Sequence, residues 1–328
     1  MGLLAAIAGA LRPAPPPDPA TVQALERIGE LVDPILKSAS GFEHKLAAPV
    51  HHALGYCEGL VAGLPGPIDI GRHTFGVDPL VHALFATADD IGRMLGNSQA
   101  VRDYLADPES RDSDHFYALF AARRQQKRQL GLALQGEVLH TDVPQTVVYF
   151  CDHLLVEPHA DLDTTLAHLR AAAFDSLLKS FHTHLEALRQ ERQSLAADCS
   201  VERAHLTVLR GRSEGTEITV STRRLGELDA HLRQVAESLM PDQLEGALAT
   251  YLLAPEKSLR LEPVVLHVDR LGVLSDPASQ DDATTLAFPE LTARDMRRHM
   301  VMLARIDREE ARQAVEATQD QQRRFLII

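Results

Sequence analysis

A mainly α fold is predicted: an irregular multi-helix body with a long antiparallel helical hairpin and a minor β element near residues 258–289. Three observations predict it. The core must be built from Leu, Ala and Val, because Trp is absent and aromatics are 5% of the 328 residues; Ala and Leu are the strongest helix formers. Apolar side chains recur at steps of three to four residues in most segments. Between Asp163 and Leu239 that spacing tightens into the seven-residue repeat of coiled coils, through Phe174, Phe181, Leu188 and Leu195, then Leu225, Leu228, Leu232, Val235 and Leu239.

The elements follow in order. Residues 1–19 read as a short apolar tail and a proline-rich spacer, PAPPPDP, which cannot enter a helix or sheet interior. The apolar run is too short to span a bilayer. Residues 20–160 read as an N-terminal helical region. Thr21 caps a first helix that Pro34 ends or kinks, a second runs from Phe42 to Val61, and a third opens at Asp78-Pro79. Asp114 begins a longer helix through Phe116, Leu119, Phe120 and Leu130. Its last part, 132–142, is open between helix and strand. Residues 145–156, QTVVYFCDHLLV, favour helix slightly over a buried strand.

Residues 161–255 carry the helical hairpin and a short helix from Gln243 to Leu253. Cys199-Ser200 is a candidate break in the first arm, and EITVS at 217–221 a candidate short strand. Residues 256–328 hold the small β element and a last helix. Leu259 to Leu274 partly alternates and turns at Asp269 to Gly272, and Thr284 to Phe288 is a possible third strand. Thr292 with Asp295 caps the last helix, whose inner face is Met296, Met300, Leu303 and Ile306. The apolar end from Phe325 to Ile328 is expected to bury on the same chain.

Charge bounds the function. The net charge of -13 argues against a nucleic-acid wrapper and against adhesion to anionic membranes, leaving peripheral membrane contact at most. Cys57, Cys151 and Cys199 are isolated and include no CxxC pair, so no disulfide framework is expected and a reducing, cytoplasmic compartment fits. No phosphate loop, dinucleotide fingerprint, nucleophile elbow or HExxH motif is present. With heptads and no catalytic motif, a protein-interaction, scaffold or regulatory role ranks first, with a protein partner or self-association as a homodimer.

The alternative is a metal-assisted enzyme or a metal sensor. Sixteen histidines are the one unusual chemical feature. They are densest between Cys151 and His168, where His153, Glu157, His159 and Asp161 form the candidate metal set. Imidazole and carboxylate are good ligands for Zn or Fe. His153 and Glu157 would share a helix face at i, i+4. The ordinary reading of the same residues is a polar helix junction, with Asp161 or Asp163 capping the next helix. A second histidine group is His44, His51 and His52 near Cys57 and Glu58. His182 with Glu186 and Asp295 with His299 are helix-spaced pairs that read as surface support.

Overall fold

The computed structural model describes residues 18–135, 138–212, 215–269, 271–274, 283–294 and 296–325. The expectations for residues 1–17, Asp295 and the last three residues fall outside that set. The chain divides into two compact units. The first comprises residues up to Tyr56 and Phe174–Pro255; the second comprises Cys57–Ala173 and the chain from Glu256 onward.

The first unit is helical. Helix α1 (Pro19–Leu31) is capped by Asp18, whose carboxylate accepts from the Thr21 amide at 2.9 Å. Asp33 then caps a short 3-10 turn that opens with Pro34. Helix α2 (Phe42–Ala62) contributes Leu46, Val50 and Ala53 to the buried residues. Helix α6 (Leu162–Arg212) runs unbroken for 51 residues and belongs to this unit from Phe174 onward, and α7 (Gly215–Ser238) returns beside it. Leu195, Cys199, Leu206 and Leu209 are buried along the seam. Across it His231 meets Glu191 at 3.2 Å, Arg203 meets Asp229 at 2.7 Å, and the Ser221 hydroxyl donates to Glu202. These cross-links run in opposite chain directions, so the arms are antiparallel. Helix α8 (Pro241–Leu252) buries Leu244, Leu248 and Leu252.

The second unit overturns the expectation of a mainly α fold with a minor β element. It is built on a six-stranded sheet in the order β3-β2-β6-β5-β4. The strands are β2 (His115–Gln135), β3 (Val138–His159), β4 (Leu259–Val268), β5 (Thr284–Ala293) and β6 (Arg298–Asp307), all antiparallel to their neighbours. A two-residue β1 (Ile68–Asp69) adds parallel to β6. The helix expected from Asp114 is therefore β2, the segment 145–156 belongs to β3, and the inner face assigned to a last helix is largely β6. The final helix, α9 (Arg308–Phe325), starts only after that strand. EITVS is not a strand; it lies in α7.

The physical reason is that neither β6 nor the far half of β2 shows a period of two. Strand β6 is central, and Met300 to Ala304 are all buried, so it reads as a continuous apolar run. The far half of β2 is exposed on both faces from Gln126 to Leu130, so it reads as a continuous polar run. Either pattern hides the pleat.

One sheet face packs on helices α3 (Pro79–Leu84), α4 (Ala88–Asn97), α5 (Gln99–Ala106) and α9 through Phe116, Ala118, Phe120, Met300, Met302 and Ile306. The other face places Leu119 and Leu303 against Val61, Leu64 and the first turns of α6 at Leu162, Leu166 and Leu169. A chain crossing over β6 at Gly66 has φ +110°, and a Cβ there would lie 2.4 Å from the Leu303 carbonyl oxygen, so only glycine fits.

Sheet β2 and β5 are tied by a buried ion pair. Arg124 donates through Nε and Nη2 to the two carboxylate oxygens of Glu290 at 2.5 and 3.2 Å, and Glu290 is 5% exposed. Removing one partner strands a buried charge, whereas replacing both with apolar groups does not. Arg124→Ala, which leaves the buried Glu290 carboxylate unpaired, is expected to destabilise the protein by about 3–5 kcal/mol, with the double change Arg124→Met, Glu290→Leu costing much less. Urea unfolding of the two variants checks this; similar losses in both would refute the stranded-charge account.

Candidate metal centre

The four residues of the predicted metal set lie within or just beyond the end of β3, and the strand's irregularities decide where each one points. Strand β3 carries one-residue register shifts against β2 between the pairs Ala121/Leu154 and Arg123/Cys151, and again between Leu119/Val156 and Tyr117/His159. Asp152 and Glu157 sit in those shifts with φ +52° each. An extra residue in a strand reverses which face the following side chains take. After the first bulge, His153 and Leu155 face the helical layer. After the second, His159 pairs with Tyr117 on the opposite face, the side on which Leu119 meets the base of α6.

His153 is thereby removed from the group. Its Nε2 donates to the Leu84 carbonyl at 2.7 Å, and its ring stacks on Phe85 at 4.6 Å. Burial lowers its pKa, opposed by the hydrogen bond to Leu84 and by the charges of Asp90 and Asp152. Asp161 is also committed elsewhere. Its carboxylate accepts from the amide and hydroxyl of Thr164 at 2.8 and 2.9 Å, capping α6, and those bonds hold its pKa below the usual carboxylate range.

Glu157 and His159 do come together, and His168 joins them from the second turn of α6. Glu157 Oε2 is 3.5 Å from His159 Nε2 and 3.5 Å from His168 Nδ1. The imidazole centroids are 4.1 Å apart. One donor atom from each residue falls within 4.8 Å of the other two. His159 Nε2 is buried and has no hydrogen-bond partner; the 3.5 Å approach of the carboxylate is too long and too poorly aligned to serve as one. A buried polar atom without a partner is destabilising by about 1–3 kcal/mol. Glu157 adds a left-handed backbone at a non-glycine residue, a strain that tends to accumulate at functional sites.

The spacing has a chemical meaning. In a tetrahedral zinc site with bonds of about 2.0–2.1 Å, ligand atoms sit about 3.3–3.5 Å apart, since the tetrahedral edge is about 1.63 bond lengths. In an octahedral site with similar bonds, adjacent ligands sit about 2.9 Å apart. Both carboxylate-to-imidazole distances match the tetrahedral edge. Glu157 and His159 also line a cavity of about 520 Å³, together with Asp103, Tyr104 and Asp107. The Tyr104 hydroxyl is buried and unpartnered.

Among the described residues, no other His, Cys, Asp and Glu set reaches this spacing, so His44, His51, His52, Cys57 and Glu58 form no comparable group. Burial pushes the Cys57 thiol up to about 12, far from a ready thiolate ligand. The His182 Nδ1–H donates to the Val32 carbonyl at 2.8 Å, and Glu186 pairs with Arg189 instead. His168 was in the histidine-dense run but was not in the predicted set. The usable signal was its helical offset from the Asp161 cap, which places it beside the strand end.

No family model, no curated protein and no solved structure matches the chain.

His153 makes stability pH-dependent. Its folded pKa is depressed, so above the ordinary imidazole value of about 6.5 its neutral form is fully accommodated. As pH falls through that value the unfolded chain takes up the proton first, and stability is lost until the folded pKa is reached. His153→Gln is expected to lose less stability than the parent between pH 7.5 and 5.5 in urea unfolding. Equal losses would assign the acid sensitivity to other groups.

Proposed function

We propose that this is a metal-dependent protein, an enzyme or sensor, whose second unit holds one divalent transition-metal ion on Glu157, His159 and His168. The observation that carries the reading is the pair of 3.5 Å donor separations around an unpartnered, buried imidazole nitrogen. Zinc fits best, because two imidazoles, each with a nitrogen 3.5 Å from one carboxylate oxygen, suit its ligand preference. The ion would relieve the stranded His159 nitrogen and neutralise the Glu157 carboxylate. It would also tie the end of β3 to α6.

Protein purified without a histidine tag after metal-replete expression is expected to carry about one equivalent of metal. Less than about a tenth of an equivalent would sink the reading for a tight site. His159→Ala and His168→Ala should each weaken binding by more than about 100-fold, beyond the effect usual for residues that only orient ligands. His153→Gln should leave it unchanged. With free metal at about 100 times Kd, the ion adds about 2.7 kcal/mol of stability that a chelator removes.

A second reading, an interaction or scaffold role, is favoured by one observation. Val201, Val208 and Val220 on the α6–α7 hairpin are 69%, 52% and 65% exposed. Exposed apolar residues on a coiled-coil arm suit a protein partner or a second copy of this chain. Sedimentation is expected to show concentration-dependent association that Val201→Asp weakens. A strict monomer, unchanged by the substitution, counts against self-association.

A further inference from the structure

The sheet order puts β3 and β4 at opposite ends, yet the two are joined at one corner. The Val148 N–H donates to the Gly272 carbonyl and the Leu274 N–H to the Thr146 carbonyl, both at 2.8 Å, and the Asp269 N–H donates to Val273 at 3.0 Å. Residues 273 and 274 thereby bridge β3 on one side and the end of β4 on the other. The close approach requires glycine at 272, where φ is +77° and a Cβ would lie 2.8 Å from the Val148 carbonyl oxygen.

Between this corner and α3, within the second unit, lies a cavity of about 570 Å³. Its walls are apolar: Leu84 and Phe85 from the end of α3, Val148 and Phe150 from β3, Val268 and Leu286 from β4 and β5. Val77 and Leu271 also line it and are 84% and 81% exposed, the highest values of any large apolar side chain among the described residues. Apolar side chains held in water beside an apolar recess of this size mark a ligand site. We infer that the cavity binds a small amphiphile with an apolar body and a positively charged amine head. This site shares no residue with the metal group and does not rest on it.

The body follows from the walls, and the head from two carboxylates in the lining, Asp78 and Asp269. Asp78 accepts through Oδ1 from the Leu80 and Val81 amides at 2.8 and 3.2 Å, capping α3. Asp269 accepts through Oδ1 from the Leu271 and Val273 amides, both at 2.8 Å. Backbone bonds thus fix both side chains while each spends one oxygen of two, and a carboxylate can accept through both. No Lys or Arg lines the cavity among the described residues. His82 lines it as well, with its Nδ1–H donated to the Phe75 carbonyl at 3.3 Å. A charged amine finds acceptors already held in place and an aromatic lining at Tyr149 and Phe85. An anionic head finds like charge and no counter-ion.

A fluorescence displacement experiment reads the body and the head separately. Full-length protein is titrated at pH 8 with N-phenyl-1-naphthylamine, a neutral dye that brightens in apolar surroundings. The dye is then displaced with octylammonium, octanol or octanoate, equal chains with different heads. The expected result is one saturable dye site, from which octylammonium displaces the dye at a concentration at least about fivefold below octanol and tenfold below octanoate. The double change Asp78→Asn, Asp269→Asn keeps the local caps, since Asn caps as well as Asp. It should abolish the advantage of octylammonium and leave octanol unchanged. Ala86→Trp, at an exposed position of the lining, should keep the parent's melting temperature and lose the dye by filling the mouth. Absence of saturable dye binding, or a folded Ala86→Trp variant that binds as the parent does, overturns the site. Octanoate displacing as well as octylammonium, or a double variant that keeps the octylammonium preference, overturns the head assignment.

Discussion

The register of β3 against β2 is the constraint on which the site depends. Side chains along a strand alternate faces with a period of two, so every one-residue insertion reverses all that follow. The bulge at Asp152 turns His153 and Leu155 toward the helical layer, and the bulge at Glu157 turns His159 back to the other face. Without the second bulge His159 would not lie on the side of α6 that carries His168. The bulges themselves hold because β2 is paired on both sides at this level, to β3 and to β6, which leaves the ladder no freedom to slip.

That ladder is supported by burial from both directions. Phe116, Phe120, Met300 and Met302 pack under the helices of one face, and Leu119 and Leu303 pack under Val61 and the base of α6 on the other. The base of α6 is therefore held to the sheet by Leu162, Leu166 and Leu169 while His168, between them in sequence, reaches the strand end. A histidine adjacent to a buried leucine stripe stands at the rim of that contact. Packing supplies the position, and the cap by Asp161 fixes where the helix begins and hence the angle at which His168 projects.

In the sequence alone an interaction role ranks ahead of metal chemistry, since nothing along the chain brings imidazoles together. Convergence of two imidazoles and a carboxylate beside a cavity reverses that order. It also substitutes His168 for His153 and Asp161, since one is consumed by the Leu84 carbonyl and the other by a helix cap. Burial of an imidazole among phenylalanines disfavours its charge, but the hydrogen bond is what takes its nitrogen out of reach of a metal.

Local sequence determined the helical arms, because leucines at heptad spacing can bury themselves only on a neighbouring helix. It determined the proline-limited end of α1 and the start of α3 for equally local reasons. It also located Glu157 and His159 in one short run. Tertiary structure alone decided the sheet. Strands buried on both faces, or exposed on both, carry no alternation, so β2 and β6 acquire their identity from partners far away in sequence. Tertiary structure likewise decided which residues meet in the candidate site, because bulges and a helix nine residues on, rather than spacing along a supposed helix, brought His168 to Glu157.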